Sequence, residues 1–372
     1  MTVLLIAAGL LIVLYALWLL RMIACWHRTN ATPKSITDSK HLTIIIPFRN
    51  EAAHLPRLLN ALIRQLPEAP GATILLVDDH STDESALIAK AIIAENNNIR
   101  LLQQDQTHGK KLGVDIAVQE ATTEWIVTLD ADIDPCEGWL KRIASWTNAN
   151  SNDLLILPLH IGPGKNLIGK LQEVEFASVM GVTAAMAMMR QPILCNGGNL
   201  CFRKEAYFRV RSERSDMHIP SGDDVFLLNA LKPFGKVVWV HDRFTRVSTE
   251  PQSTWRGFAR QRLRWMGKTG FVSDYSLPAT AWLTFLTNAA LIATAIATFL
   301  GALPIGFFTI GAFIKIGLDA WLIWMAGRWL CIKQLKRFYV LLVFLYPFYA
   351  TLFPLLSQFI RPSWKGRKTI IR

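Results

Sequence analysis

An apolar strand that ends in a run of acids lies near the middle of the chain, at Thr128-Leu129-Asp130-Ala131-Asp132-Ile133-Asp134-Pro135. The residues Trp125–Leu129 are mostly apolar and β-branched, which predicts a buried strand. Carboxylates that converge at the end of a strand repel one another unless a cation lies between them. Mg²⁺ and Mn²⁺ bind one or two carboxylates and complete their shell with phosphate oxygens. We therefore expect Asp130 and Asp132 to position a metal-bound diphosphate; the alternative is an acidic turn that caps a helix at Pro135.

Apolar residues gather at the two ends of the 372-residue chain, and 51% of all its residues are hydrophobic. Basic residues flank these apolar regions, so the formal charge of +12 is typical of a membrane protein with cytoplasmic basic loops. Nucleic-acid binding is the competing explanation of the charge, but the sequence contains no recognised nucleic-acid module. The five cysteines are scattered without metal-ligand spacing and predict reduced thiols.

Strands and helices alternate before the acidic run. A short buried strand that ends at a turn is predicted within 42–51, and further strands are predicted at 73–77, at 99–103 and at Trp125–Leu129. Helical patterns separate them, and the first has an apolar face made of Leu55, Leu58, Leu59, Leu62 and Ile63. This alternation predicts a parallel, doubly wound sheet. The strand ends at 47–51, 78–79 and 130–132 would then lie along one edge, where open α/β sheets bind their ligands.

Three further segments follow the acidic run. Residues 154–159 predict another strand. Residues 165–189 predict a long, Met-rich amphipathic helix, which packs in a core or lies at a membrane interface. The pair Gly197 and Gly198 stands between apolar residues and indicates a close approach of the backbone to a ligand.

A pair of acids and a basic helix come next. Asp223 and Asp224 begin a predicted helix, where the simplest role of a carboxylate is to cap the N-terminus. Residues 255–268 predict a helix in which Arg alternates with Trp and Phe. Such a helix suits a membrane surface or a polyphosphate ligand.

Four apolar segments are long enough to cross a hydrocarbon core of roughly 30 Å. They are residues 2–26, 279–303, 305–330 and 338–360. The first lacks a positive n-region and an evident cleavage site, so we interpret it as a retained anchor rather than a signal peptide. The basic residues that follow it place the next region in the cytoplasm.

The last two apolar segments carry residues that are unusual in a membrane. Lys315 and Asp319 are four residues apart, so they are expected to pair on one helix face. Pro347 and Pro354 interrupt the final segment, and the basic tail behind it favours the cytoplasmic side. We therefore predict that this segment is re-entrant.

Six motifs appear in order along the chain, and together they are more specific than any one alone. The sequence resembles the membrane-bound family 2 glycosyltransferases. The motifs are a nucleotide-site turn at 46–51, a nucleobase motif at 77–83, the metal motif Asp130-Ala131-Asp132, the acidic pair in Gly222-Asp223-Asp224, the Gln-x-x-Arg-Trp motif at 261–265, and a tail motif of lipid-glycosylating members at 364–367.

The resemblance implies a fold and a domain organisation. The fold would be GT-A, an α/β fold with a Rossmann-like, mostly parallel sheet, flanked by transmembrane helices. The domains would be an N-terminal transmembrane helix at 1–28, a cytoplasmic GT-A domain at 40–250, an amphipathic interface helix at 251–275, C-terminal transmembrane helices at 279–360 and a basic tail at 361–372. The membrane would be a bacterial inner membrane.

The resemblance also implies roles for individual residues. Asp79 would bind the base of a UDP- or GDP-sugar, with Pro47, Glu51 and Lys110 near the ribose and phosphates. Asp132 would ligate Mg²⁺ or Mn²⁺, with Asp130 facing the ribose or the sugar. Asp224 would be the general base, and Asp223 could share that role because the commoner pair is Glu-Asp. Gln261, Arg264 and Trp265 would hold the diphosphate and shape the acceptor site, to which Gly197 and Gly198 would contribute.

The implied reaction is the transfer of a sugar to a membrane lipid. One base without a protein nucleophile implies inversion at the anomeric carbon. Arg49 stands where many members have an aromatic residue, which leaves the nucleotide open. A processive polysaccharide synthase shares Gln-x-x-Arg-Trp, although four spans are few for a polymer channel. A non-catalytic membrane assembly protein is the second alternative.

Overall fold

The computed structural model describes residues 2–26, 42–103, 109–149, 152–212, 214, 222–267, 274–360, 363–364 and 367–368. The predicted boundaries at 28 and 40, Lys268 and most of the tail at 361–372 lie outside these residues. The chain divides by its contacts into two compact units. The α/β unit consists of Thr29–His160 and Pro192–Glu250; the helical unit consists of Met1–Arg28, Ile161–Gln191 and Pro251–Arg372.

The helices and strands are numbered along the chain. The helices are α1 (Thr2–Cys25), α2 (Leu55–Gln65), α3 (Ser85–Ala94), α4 (Lys110–Glu120), α5 (Trp139–Ala149), α6 (Leu167–Met188), α7 (Lys204–Arg211), α8 (Asp223–Leu231), α9 (Trp255–Met266), α10 (Ser276–Phe299), α11 (Ile305–Trp329) and α12 (Leu335–Phe359). The strands are β1 (Leu42–Phe48), β2 (Thr73–Asp78), β3 (Ile99–Gln103), β4 (Trp125–Leu129), β5 (Ile133–Pro135), β6 (Leu154–Ile156), β7 (Leu159–Ile161), β8 (Asn199–Arg203), β9 (Val237–Trp239), β10 (Val247–Thr249), β11 (Ser363–Trp364) and β12 (Arg367–Lys368).

The main sheet of the α/β unit has the strand order β3-β2-β1-β4-β8-β6-β9. The strands β3, β2, β1 and β4 are parallel, as the alternation of strands and helices predicts. All residues of β1 and β4 are buried, which is expected of a parallel sheet that is covered on both faces. The predicted Rossmann-like α/β fold is therefore confirmed.

The sheet is mixed rather than wholly parallel. Strand β8 was missed by the sequence analysis, and it pairs antiparallel with both β4 and β6. It has five residues and begins with the polar Asn199 directly after two glycines, so it lacks the apolar pattern of the other strands. The strand predicted at 154–159 is also divided, because Pro158 has no N–H to donate and separates β6 from β7.

The helical unit contains four helices, α1, α10, α11 and α12, that are long and apolar enough to cross a membrane, among the residues that the structure describes. The predicted re-entrant segment is wrong, because α12 runs as one helix of 25 residues with Pro347 and Pro354 inside it. Proline is tolerated in such helices where neighbouring groups satisfy the freed carbonyls. The Met-rich helix α6 is largely buried, so it is a core helix of this unit.

The predicted pairing of Lys315 with Asp319 is confirmed. The two charged groups on α11 are 2.6 Å apart and almost fully buried. The hydroxyl of Tyr15 on α1 donates to Asp319 Oδ1 at 2.7 Å, which ties the first apolar helix to the third.

Candidate functional site

Lys110 bridges the acids of two motifs at the edge of the main sheet. Helix α4 begins at this residue, directly after Gly109, whose φ of 112° is in the range that glycine adopts readily. The Lys110 Nζ lies 2.6 Å from Asp130 Oδ1 and 3.4 Å from Asp223 Oδ2. Burial alone would lower the pKa of Lys110, but the charges of Asp130 and Asp223 outweigh burial and raise the pKa above its usual range. Lys110 is therefore a permanent cation between two carboxylates.

The register of β4 and β8 explains the second glycine of the pair. Leu129 lies opposite Asn199, so Asp130 and Gly198 leave the sheet side by side. A Cβ atom on Gly198 would lie 2.9 Å from Asp130 Oδ2, closer than real Cβ atoms approach an oxygen. Glycine is therefore needed where the strand passes the acid.

Gly197 lies against the other acidic pair. Its N–H donates to Asp224 Oδ2 at 2.9 Å, and Asp224 Oδ1 accepts the N–H of Val225 at 2.8 Å. A Cβ atom on Gly197 would lie 3.3 Å from Asp223 Oδ2 and 3.4 Å from Lys110 Nζ. The two adjacent acids thus have different surroundings, since Asp224 is oriented by backbone N–H groups and Asp223 faces the Lys110 ammonium.

Asp132 lies beside Asp130, and its surroundings change its pKa. Burial, followed by the negative charges of Asp130 and Glu51, raises the pKa of Asp132 to about 6. Strand β10 pairs with β5 and brings the Thr249 hydroxyl to 3.3 Å from Asp132 Oδ2. A carboxylate in such surroundings gains stability from a cation.

The acids fit a metal that shares its ligands with a substrate. Among the described residues, no group of three His, Cys, Asp or Glu side chains could hold a metal ion alone. Mg²⁺ commonly binds one or two carboxylates and takes the rest of its shell from phosphate oxygens and water. The pair Asp130 and Asp132 matches that donor set.

The predicted nucleotide residues lie at the ends of β1 and β2. Asp79 follows β2, and its Oδ1 accepts the N–H of Gly109 at 2.9 Å. Arg49 donates to the Asp79 carbonyl at 2.9 Å, so it ties the first strand end to the second. The Glu51 carboxylate accepts a hydrogen bond from His54 Nδ1 at 2.8 Å. The Glu51 N–H donates to the Ser85 hydroxyl at 2.7 Å. Pro47 pairs in register with Val77.

Gln261, Arg264 and Trp265 belong to the helical unit and lie on α9. The residue between them, Arg262, is buried and makes a two-pronged ion pair with Glu175 of α6. Its guanidinium also donates to Gln261 Oε1 and lies over the Trp265 ring, 4.3 Å from the ring centroid. The Gln-x-x-Arg-Trp pattern leaves residue 262 open, but in this chain Arg262 contacts two residues of the motif.

Comparison with known proteins agrees with this arrangement of strands and acids. Residues 43–209 match the family described as Glycosyl transferase family 2, and they include Lys110, Asp130 and Asp132. This chain contains a family 2 glycosyl transferase domain.

Two relatives match parts of this chain. Glycosyltransferase AglE of Haloferax volcanii is 28% identical over 144 residues, which are 39% of this chain and 42% of that protein. The undecaprenyl-phosphate 4-deoxy-4-formamido-L-arabinose transferase of Pectobacterium carotovorum is 32% identical over 115 residues, which are 30% of this chain and 35% of that protein. The chain thus spans less than half the length of these curated relatives.

A solved structure extends the similarity in fold beyond the transferase domain. The mannosyltransferase PcManGT from Pyrobaculum calidifontis, in complex with GDP-Man and Mn²⁺, has a TM-score of 0.57 and 16% identity, and the match covers 92% of this chain and 98% of that chain. At this identity the similarity concerns the fold, which is GT-A with apolar C-terminal helices.

Sequence reasoning missed three polar residues near the motifs. Thr249 beside Asp132 follows from the pairing of β5 with β10, which no local pattern of the transferase domain indicates. Arg262 and Glu175 are 87 residues apart along the chain. Glu175 is one of two buried acids, with Glu173, in a mostly apolar helix, and such acids were the available signal for a buried cation nearby.

Proposed function

We propose that this chain transfers a sugar from a nucleotide-sugar donor to a membrane lipid acceptor, with inversion at the anomeric carbon. The observation that carries this proposal is the meeting of Lys110, Asp130 and Asp223 beside Gly197 and Gly198, in a chain whose residues 43–209 match the family 2 glycosyl transferases. Both halves of such a reaction need charged groups at one edge of the sheet. The leaving diphosphate needs positive charge, and the acceptor hydroxyl needs a base.

The donor would bind along the ends of β1, β2 and β4. Asp79 would face the base, and Pro47 and Glu51 would line the ribose side. Asp132 and Asp130 would hold Mg²⁺ or Mn²⁺, which when bound supplies positive charge to the diphosphate. Lys110 would contribute a fixed positive charge near the phosphates, since its neighbours keep it protonated.

The acceptor hydroxyl would lose its proton to Asp224. The N–H groups of Gly197 and Val225 hold this carboxylate in one orientation, which suits a base that must meet the hydroxyl at hydrogen-bond distance. Asp223 is paired with Lys110, so it is the weaker candidate for the base and the better one for holding that lysine. Gln261, Arg264 and Trp265 on α9 would hold the diphosphate and shape the acceptor site, as their motif implies.

A lipid acceptor is supported by two features. The chain has four helices long and apolar enough to cross a membrane, among the described residues. A relative that is 32% identical over 115 residues is named for undecaprenyl-phosphate, which is a lipid. The transfer would take place at the cytoplasmic face of the membrane, because basic residues follow the first apolar helix.

The test is transfer by the purified chain in lipid nanodiscs. UDP- and GDP-sugars are supplied with Mg²⁺ or Mn²⁺, with and without a total lipid extract. We expect one donor to be consumed only with lipid and to give a glycolipid of inverted configuration. Asp224→Asn should abolish transfer while keeping the bond from Gly197, because the Asn oxygen still accepts an N–H. The matched control is Asp134→Asn, since Asp134 is exposed.

The other outcomes separate the alternatives. A long polymer in place of a glycolipid would favour a processive synthase. Tight binding of a nucleotide sugar without turnover under any condition would favour an assembly protein. Failure to bind any donor with either metal would refute the proposal.

A further inference from the structure

Arg262 is a buried cation in the middle of the Gln-x-x-Arg-Trp segment. It is 1% exposed, and Glu175 on α6 is 4% exposed. Arg262 Nε donates to Glu175 Oε1 at 3.0 Å and its Nη2 donates to Glu175 Oε2, so the pair has the parallel two-bond geometry of a guanidinium and a carboxylate. A cation so enclosed has no access to a substrate phosphate.

A third helix joins this pair. The hydroxyl of Tyr349 on α12 donates to Glu175 Oε1 at 3.0 Å. The carboxylate therefore accepts bonds from both α9 and α12 while it is held on α6. Such a network fixes the rotation of α9 about its own axis, because the two bonds from Arg262 lie in one plane.

The same guanidinium holds two side chains of the motif. Its Nη1 donates to Gln261 Oε1, and its plane lies 4.3 Å from the centroid of the Trp265 ring. Phe258, one turn before Arg262, contacts the same group at 4.7 Å. The ring of Trp265 also packs against Phe176, with the centroids 5.9 Å apart.

The chemistry of arginine decides which way Gln261 points. A guanidinium has only N–H donors, so the amide must turn its oxygen toward Arg262. The amide NH₂ then points away from Arg262 and is the part of Gln261 that can donate hydrogen bonds to a ligand. An NH₂ group donates hydrogen bonds, which is the property that a diphosphate requires.

We propose that Arg262, with Glu175 and Tyr349, is a positioning residue that presents the Gln261 NH₂ and the Trp265 ring to the donor diphosphate and acceptor. This inference rests on the proposed transferase function of the Gln-x-x-Arg-Trp motif. Arg262 and Arg264 then have different roles in the Gln-x-x-Arg-Trp segment. Arg262 orients the motif from inside the helical unit, while the ligand role of Arg264 is the one that its motif implies.

The competing explanation is that the ion pair only packs three helices. A purely structural pair can be replaced by apolar residues of similar size without loss, since two buried charges often do no better than a hydrophobic pair. The double variant Arg262→Met with Glu175→Leu keeps side chains of similar size between the helices. It removes the hydrogen bond that orients Gln261. The matched control is Lys315→Met with Asp319→Leu, because that pair is also buried in the helical unit and touches no motif residue that the structure describes.

The experiment measures thermal stability, KM for the donor and kcat for both double variants in nanodiscs. We expect the Arg262/Glu175 variant to raise the donor KM and lower kcat/KM by roughly tenfold to a hundredfold, with a melting temperature close to that of the control. The Lys315/Asp319 variant should keep the wild-type kinetics. Arg262→Lys should recover only part of the loss, since an ammonium lacks the planar fork that bonds both Glu175 and Gln261.

Equal kinetics for the two double variants would overturn the inference and leave the transferase function intact. Binding of UDP and GDP with Mn²⁺ to the wild type is measured in parallel. If the wild type binds neither nucleotide and transfers no sugar, the proposed function fails, and this inference fails with it. A wild type that binds a nucleotide, with equal affinity in the Arg262/Glu175 variant, overturns the positioning role alone.

Discussion

The balance of charge differs between the candidate site of the α/β unit and the buried ion pairs of the helical unit. In the α/β unit, the Lys110 ammonium lies beside two carboxylates, those of Asp130 and Asp223. Asp132 is a further acid there, and burial and neighbouring negative charge raise its pKa. In the helical unit, each of two buried cations has one carboxylate of its own. These pairs are Arg262 with Glu175 and Lys315 with Asp319.

This difference in charge balance distinguishes a ligand-binding site from ion pairs that lie inside the fold. An excess of carboxylates costs free energy in the folded protein, and a bound cation can recover it, so the excess points to a ligand. A balanced pair of opposite charges requires no further ion, and the loss of one of its partners is what costs free energy. We therefore expect substitutions in the α/β site to change activity, and the loss of one partner of the Lys315–Asp319 pair to change stability.

The largest effect is expected from Lys315→Met. The substitution leaves Asp319 charged or forced to bind a proton inside a helix that is long and apolar enough to cross a membrane. Breaking a buried pair in this way costs about 3 to 5 kcal/mol of unfolding free energy. Thermal unfolding in detergent, followed by the loss of helical circular dichroism, measures it.

The double variant Lys315→Met with Asp319→Leu is the control. It removes both charges and should recover most of the lost stability. A double variant as unstable as the single one would show that the shape of Lys315, rather than charge balance, determines the stability of this region.

The next largest effect is expected from Asp132→Asn, and it should appear in a different measurement. Transfer should fall by about 100-fold or more if Asp132 is the metal ligand that we propose. The stability of the metal-free protein should stay the same or rise, since the change removes a negative charge from beside Asp130 and Glu51. Kinetics and melting temperature of the same preparation test both parts.

Asp134→Asn is the matched control for this change, because Asp134 is exposed and two residues away. A marked loss of stability in metal-free Asp132→Asn would contradict the idea that the acids are present in excess. It would place Asp132 among the residues that hold the fold.

A smaller effect is expected from Gly198→Ala. The new methyl group would meet Asp130 Oδ2 at 2.9 Å and Leu159 Cδ1 at 3.3 Å, so Asp130 must turn away from its place beside Lys110. We expect kcat/KM to fall by roughly tenfold, as a misplaced binding group does. Gly197→Ala should cost less, because the nearest atoms to its methyl group would be Asp223 Oδ2 and Asp224 Cβ, both at 3.3 Å rather than 2.9 Å. A larger loss in Gly197→Ala would reverse this order and place the stricter constraint on the Asp224 side.

Much of this fold follows from local sequence pattern. Strands β1 and β4 are apolar runs with acids or turns behind them, and their burial on both faces made them easy to predict. Strand β8 was missed because it forms a strand only by pairing with a segment that is distant in sequence. For example, Asn199 lies opposite Leu129 of β4. The predicted break in α12 failed for the opposite reason. Local pattern gave Pro347 and Pro354 the role of breakers, while helix packing keeps the chain helical.

The site divides in the same way. Asp130, Asp132 and Asp224 belong to short motifs, so type and spacing are enough to select them. The position of Lys110 between two motifs depends on how α4 and α8 are placed at the sheet edge. Glu175 and Arg262 come from helices that are distant in sequence, and a single sequence contains no record of such a pairing. Residue chemistry was therefore predictable, whereas the choice of partners was not.

The smallest effect is expected where an ion pair remains in water. Arg57 Nη1 lies 3.0 Å from Glu250 Oε1, with both side chains exposed by 41% and 59%. Water solvates each charge when its partner is removed, so Arg57→Ala should change the unfolding free energy by less than about 1 kcal/mol. The coupling is measured by adding Glu250→Ala and the double variant, at low and at high salt. A coupling that approaches the loss in Lys315→Met would mean that burial does not separate the two classes of pair. In that case the contrast between the units would rest on the number of carboxylates alone, since only the α/β site would still differ in charge balance.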